Sequence, residues 1–209
     1  MGHFDFTMSG EKYSETNIRI PHWMIYVDWF NTKSNVNPQY LIPVDFFFKK
    51  NEFNSVSKTK FASWVFNNRV SDRLNTIKNI ERYKHIDVFG GAGKPIHSSE
   101  YEKLKVISDY KFNFCFENTI KEGYHTEKLI QAKVAGCIPV YKSHESFTDD
   151  FNELSCLNVV NMSDEEIYEK IISLDSNDKA FSKMSSEPLF IDYPNLDKIK
   201  NEIYLKIIS

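Results

Sequence analysis

Only three cysteines occur in 209 residues, an odd number without C-x-x-C spacing, so the sequence offers neither a disulfide framework nor a cysteine zinc site. Cys115, Cys137 and Cys156 stand among apolar neighbours such as Phe114, Phe116 and Ile138, and read as small buried hydrophobes in a reducing compartment. A basic surplus is also missing. With 26 Lys and Arg against 29 Asp and Glu, the net charge is −3, which lacks the electrostatic footprint of a nucleic-acid binder. No apolar stretch approaches the roughly 18 residues of a membrane span and no signal-peptide core stands at the N-terminus, so a cytoplasmic location without a membrane span is the expectation. Arginine is scarce: Arg19, Arg69, Arg73 and Arg82 stand against a lysine-rich background, which makes each a candidate for a planar fork, chance being the alternative.

What is present is ordinary globular material, 41% hydrophobic and 26% charged. At roughly 150 residues per domain, the chain amounts to one full domain and an added piece. From about Lys60 onward, short β-type runs (Phe61–Phe66, His85–Phe89, Phe112–Phe116, Ile138–Tyr141, Leu157–Val160) alternate with helical patterns (Ser71–Tyr83, Ser98–Ser108, Thr126–Ala135, Asp164–Ser173). That alternation predicts an α/β fold, a doubly wound parallel sheet covered on both faces. Ser163 with Glu166 three residues on forms a capping-box pattern, so the triplet Asn161-Met162-Ser163 reads as a helix start in preference to a glycan site. Earlier in the chain, Pro21 is placed to open a helix whose Trp23, Tyr26, Val27 and Phe30 make one apolar stripe facing either a separate domain or this one. Asn31–Asn54 reads as a connector. At the far end Asn195 is placed to cap a helix with Leu196, Ile199, Ile203 and Ile207 on one side.

Ligands of open parallel sheets bind beyond the carboxyl ends of the strands, where four loops are expected to gather. The first carries Asn67, Asn68 and Arg69, with Arg73 in the next helix; the second is Gly90-Gly91-Ala92-Gly93-Lys94; the third runs from Glu117-Asn118 to Gly123-Tyr124-His125-Thr126-Glu127-Lys128; the fourth follows Tyr141. In the third, Thr126 is expected to cap a helix whose free N–H groups, with Lys128 in its first turn, make an anion site; a solvated Lys on an ordinary helix is the plain alternative. Glu127 and Asn118 suit sugar hydroxyls and Tyr124 suits a ring, although each is also a common surface residue. The glycine loop fits close approach to phosphate and a tight turn equally well, since it lacks a complete G-x-G-x-x-G or Walker ending. His125 has no second His at helical spacing, so no metal site is expected.

The ordered segments Tyr110-Lys111-Phe112-Asn113-Phe114-Cys115-Phe116-Glu117-Asn118-Thr119, Gly123-Tyr124-His125-Thr126-Glu127-Lys128-Leu129 and Ala135-Gly136-Cys137-Ile138-Pro139-Val140-Tyr141 closely resemble the donor-binding signature of the family 10 α-1,3/1,4-fucosyltransferases. Upstream, Phe61-Ala62-Ser63-Trp64-Val65-Phe66-Asn67 and Ile86-Asp87-Val88-Phe89-Gly90 are similar to that family's preceding strands. The resemblance implies the Rossmann-like C-terminal half of a glycosyltransferase B fold, with residues 58–187 binding GDP-fucose. Residues 1–57 would then be the end of the acceptor-domain region plus a connector, and 188–209 a C-terminal helix. The implied reaction is inverting, α-1,3-type transfer of fucose to a hydroxyl of an N-acetylglucosamine- or glucose-containing glycan, with no cofactor and no obligatory metal. Arg73 and Lys128 match the cations that hold the diphosphate, while Asn118, Tyr124 and Glu127 match polar residues around the diphosphate, ribose and fucose; Asn67 joins them as a substrate-binding candidate. Arg73, Lys128 and Glu127 are the residues expected to assist catalysis. The family's general base has no match here, because none of Asp5, Glu11 or Glu15 sits at its position. A second chain supplying acceptor site and base is one consequence; a catalytically incomplete GDP-sugar-binding module and a non-enzymatic scaffold are the alternatives.

Overall fold

The computed structural model of the chain describes residues 6–30, 41–50, 58–96 and 100–208. Two short parallel pairs come first: β1 (Thr7–Ser9) with β2 (Asn17–Arg19), and β3 (Val27–Asp28) with β4 (Ile42–Pro43). The central sheet follows, built from β5 (Lys60–Val65), β6 (Ile86–Phe89), β7 (Tyr110–Phe116), β8 (Ile138–Lys142) and β9 (Leu157–Asn158). Its order is β6-β5-β7-β8-β9 and every pairing is parallel. The connecting helices are α1 (Ser71–Ile80), α2 (Glu100–Ile107), α3 (Lys128–Val134) and α4 (Asp164–Asp175), after which α5 (Asp178–Ser186) and α6 (Leu196–Ile208) complete the chain. The strands anticipated from the sequence are thus present, and the sheet is doubly wound.

Alternation along the strands sends side chains to two separate cores. Phe112, Phe114 and Phe116 of β7 join Trp64, Ile138 and Val140 on one face, where Ile80 of α1 and Ile167 and Ile171 of α4 cover them. Trp64 stacks on Phe114 with centroids 4.9 Å apart. On the other face Cys115 and Tyr141 meet Leu129 and Ile130 of α3, together with Trp23, Phe47, Phe147, Phe151 and Phe190. The three thiols are buried and free, and burial pushes those of Cys137 and Cys156 up to about 12. Ser163 and Glu166 complete the expected capping box at α4, which confirms that residue pair as a helix start.

The segment before the sheet corrects one expectation. The helix anticipated from Pro21 is a single 3-10 turn, His22–Tyr26, and the chain then becomes strand β3. Trp23 and Val27 are buried but Phe30 is 75% exposed, so the expected stripe is broken. The cause is non-local. Val27 pairs with Ile42, and the Trp23 ring is held by Phe151 and Phe190 at 5.1 and 5.0 Å while its indole N–H donates to Asp150 at 3.0 Å. The buried part of the stripe therefore folds back on this chain's own core. Residues 41–50 of the anticipated connector are packed too, with Phe47 1% exposed against Phe190; its remaining residues 31–40 and 51–54, like Asp5 and Ser98, lie outside the described residues. Asn195 caps α6 through the backbone N–H of Lys198, but Ile207 at the far end of the anticipated apolar side is exposed.

Two lysines, Lys58 part-buried and Lys133 buried, close helix C-termini, where free carbonyls favour a cation. Lys58 donates to the carbonyls of Ser108 and Ala135, just past α2 and α3, at 2.5 and 2.6 Å. Lys133 donates to Ser185 in α5 at 2.8 Å. Burial lowers the Lys133 pKa from 10.5 to about 8, with the Glu187 carboxylate opposing the shift. The folded state therefore gives up this proton before the unfolded chain does, and stability rises with pH between the two values. In urea titrations from pH 8 to 10.5, the parent should gain stability relative to Lys133→Met across that window. Trp23→Ala should cost about 3–5 kcal/mol of unfolding free energy in the same assay, as expected for emptying a core aromatic site; a cost under about 1 kcal/mol would show that the N-terminal segment lies outside the cooperative core.

Candidate functional site

The strand order reverses direction between β5 and β7, and a crevice of about 230 Å³ opens there beyond their carboxyl ends. Val65, Phe66, Asn67 and Asn68 supply one wall and Phe116 with Asn118 the other, while Arg73, Lys103, Glu127 and Lys128 project charges into it. An adjoining hollow of about 170 Å³ continues past Arg73 to Asp72, Ile120 and Lys142.

Arg73 occupies the first turns of α1 and is 6% exposed. Its Nη2 donates to Asn118 Oδ1 at 2.8 Å and lies 3.3 and 3.4 Å from the carbonyl oxygens of Phe116 and Glu117, while the guanidinium sits 5.4 Å from the centre of the Phe66 ring. Among the described residues, Nη2 alone of its nitrogens has a hydrogen-bond partner. Burial lowers the pKa of this guanidinium and the Glu117 carboxylate opposes that effect.

The N-terminus of α3 differs from the sequence expectation. Thr126 does not cap the helix: α3 starts at Lys128, with Glu127 as its N-cap and no side-chain capping bond. Instead the Thr126 backbone N–H donates to Glu117 Oε1 at 2.8 Å and its hydroxyl lies 3.0 and 2.8 Å from the two carboxylate oxygens. The anion anticipated at this helix end is thus supplied by the chain itself. Lys128 Nζ reaches Glu117 Oε2 at 2.7 Å and Thr126 Oγ1 at 2.8 Å, and its side chain keeps 18% exposure on the cleft side.

Glu127 lies 3.8 Å from Lys103 of α2. Burial would raise the pKa of its carboxyl, but the ammonium groups of Lys128 and Lys103 outweigh burial and hold it below the ordinary carboxylate value. Lys103 carried no sequence signal, since only the packing of α2 beside the third loop brings it in. Asn67 lines the cleft, yet its side-chain oxygen accepts from the backbone N–H of Gly91 at 2.8 Å. Tyr124, 36% exposed, sits on the third loop and is not among the residues that line the cleft. The glycine loop resolves as a tight turn: Gly90 has φ +89°, Gly93 N–H donates to the Gly90 carbonyl at 3.1 Å, and side chains there would strike Phe66 and Val88. Arg69 serves that turn through Ala92.

The third loop is held from outside by the N-terminal arm. The backbones of Gly10 and Gly123 cross in contact, so that a methyl group on either would overlap the carbonyl of the other. Lys121 pairs with Glu11, Lys12 with Glu122 at 2.8 Å, and Trp23 N–H donates to the His125 carbonyl at 3.2 Å. Arg19 adds a two-pronged pair with Asp150 at 2.8 and 2.7 Å.

Fold and cleft together define an open α/β domain with a cationic crevice at its topological switch point. Residues 55–185 match the family model described as "Glycosyltransferase family 10 (fucosyltransferase) C-term", and the chain belongs to that family. It is 36% identical over 112 residues to an alpha-(1,3)-fucosyltransferase FucT of Helicobacter pylori, a match covering 52% of this chain and 23% of that protein. It is 30% identical over 138 residues to the 4-galactosyl-N-acetylglucosaminide 3-alpha-L-fucosyltransferase 9 of Cricetulus griseus, covering 62% of this chain and 37% of the relative. The chain thus spans well under half the length of these curated relatives. In architecture it is similar to a crystal structure of an α1,3-fucosyltransferase with GDP-fucose, with a TM-score of 0.72 at 22% identity over 99% of this chain and 70% of that one. Among the described residues, no helix is long and apolar enough to cross a membrane.

Gly10→Ala should lower unfolding free energy by about 1–3 kcal/mol in urea, because the methyl group has no space against a rigid backbone; a stability equal to the parent's would mean that the arm is free to move off the third loop.

Proposed function

We propose that this chain is the donor-binding domain of a fucosyltransferase that uses GDP-fucose to fucosylate a glycan hydroxyl, with α-1,3 linkage and inversion at the sugar. The observation that carries this reading is the convergence of Arg73, Lys128, Asn118 and Glu127 on one crevice at the switch point of a family 10 domain. Departure of GDP builds negative charge on the β-phosphate, and fixed cations aimed at that position lower the barrier because they need no reorganisation as the bond breaks. Arg73 supplies a fixed positive charge and its remaining N–H donors to phosphate oxygens, and Lys128 acts as a point charge. Glu127, held ionised by its neighbouring ammonium groups, accepts hydrogen bonds from sugar hydroxyls. Arg73, Lys128 and Glu127 are the groups assigned to catalytic assistance, Asn118, Asn67 and Tyr124 to substrate contact, and no metal or cofactor enters the scheme.

An inverting displacement also needs a base within about 2.6–3.2 Å of the attacking hydroxyl, directly or through one water. In this reading the base and the acceptor site are supplied from outside the cleft, by a further region or a second chain, because Glu117 is sealed inside the fold and Glu127 is paired with Lys103. The acceptor is a glycan containing N-acetylglucosamine or glucose. Calorimetric titration with GDP and with GDP-fucose in the presence of EDTA tests the donor assignment. Saturable binding of both is expected, and Arg73→Ala should weaken it more than about tenfold with the far-ultraviolet circular dichroism retained. Absence of binding up to millimolar nucleotide, or an affinity unchanged in Arg73→Ala, would overturn it.

A further inference from the structure

We infer that Glu117 is a positioning residue for the donor site, an internal carboxylate that aims the Lys128 ammonium into the cleft. This rests on the donor reading given above. The Glu117 side chain is fully enclosed, and its carboxylate is reached from three parts of the fold: by Thr126 N and Oγ1 ahead of α3, by Lys128 Nζ in α3 at 2.7 Å, and by the Tyr141 hydroxyl in β8 at 3.1 Å. Four donors match the four lone-pair sites that an ionised carboxylate offers, so the charge is fully used although no water reaches it.

The donors are themselves oriented. Tyr141 spends its one proton on Glu117, so its oxygen is free to accept from His125 Nδ1, 3.4 Å away. Burial lowers the His125 pKa, which favours a neutral ring, and a ring protonated at Nδ1 accepts the Ser146 hydroxyl proton at Nε2, 3.1 Å away. Ser146 Oγ in turn accepts from the Gly123 N–H at 3.0 Å. With that tautomer the bonds from Gly123 through Ser146, His125 and Tyr141 run in one direction toward Glu117, while His144 Nδ1, 3.0 Å from Ser146 Oγ and accepting from the Ser146 N–H, competes for the same hydroxyl proton.

The benefit falls on Lys128. A lysine side chain is a point charge on a flexible four-carbon stem, and fixing it costs rotamer entropy that binding would otherwise have to supply. Two of its three protons are committed, to Glu117 Oε2 and to Thr126 Oγ1, and the third is left for the open side. The ammonium is thus held in advance among the residues that line the crevice, as Arg73 is.

A double-mutant cycle read by GDP calorimetry tests this. Glu117→Gln should weaken GDP binding about tenfold in the parent and less than about twofold in a Lys128→Ala background, because the effect passes through Lys128. Thr126→Val, which keeps side-chain volume and removes the bridging hydroxyl, should show the same dependence and serves if the glutamine variant folds poorly. Equal losses in both backgrounds would reveal a purely structural carboxylate and overturn the inference, as would unchanged affinity. Labelling of Lys128 by an amine-reactive reagent, read by mass spectrometry on the ligand-free protein, separates this from failure of the donor reading. Faster labelling in Glu117→Gln supports the positioning role even if GDP does not bind, and an unchanged rate overturns it.

Discussion

β7 runs through the middle of the sheet, and the carbonyl groups at its end, those of Phe116 and Glu117, are met by the guanidinium of Arg73 from α1. This contact ties the helix after β5 to the loop after β7, across the gap that the reversed strand order leaves open. The crevice walls follow from it. The guanidinium of Arg73 sits over the Phe66 ring, which Trp64 meets at 5.2 Å, and Trp64 in turn packs on Phe114 and Phe116 inside the sheet. Core packing and ligand chemistry are thus linked through one residue. A change at Trp64 would reach the cleft by moving Phe116, with no contact to any ligand.

Charge in the cleft is organised in two tiers. Glu117 lies below, sealed and saturated with donors, and Lys128 joins it to the open space. Above it, Glu127 stands between Lys128 and Lys103. Cations and anions alternate from the interior outward, so that the sealed Glu117 carboxylate is paired with Lys128 and Arg73 retains free donors. A site made only of cations would repel itself in the absence of an anion; here the acidic partners offset that repulsion while the chain waits for a ligand.

Much of this was legible in the sequence because it is local. The strands announce themselves as short aromatic and β-branched runs, α4 by its capping box, and the ligand face by which loops follow strands. The helix sought after Pro21 failed for the opposite reason: Trp23, Tyr26 and Val27 do have helical spacing, but Val27 is paired by Ile42, fifteen positions later, and tertiary pairing overrides local periodicity. Thr126 does not serve as the cap its position suggests because the carboxylate that captures it sits nine residues earlier, at the end of another element. Lys103 has no motif around it and becomes a cleft residue only when α2 docks beside α3. Strand order, which decides where the crevice opens, is a property of the assembled sheet and leaves no trace in any single segment.

Most contacts between the N-terminal arm and the body of the fold pass through side chains, which absorb small displacements by changing rotamer. The crossing of Gly10 over Gly123 has no such cushion, since main chain rests directly on main chain. It behaves as a bearing without slack. A displacement of the arm at this point presses directly on the loop that carries Tyr124, His125 and Thr126, and a displacement of that loop presses directly on the arm.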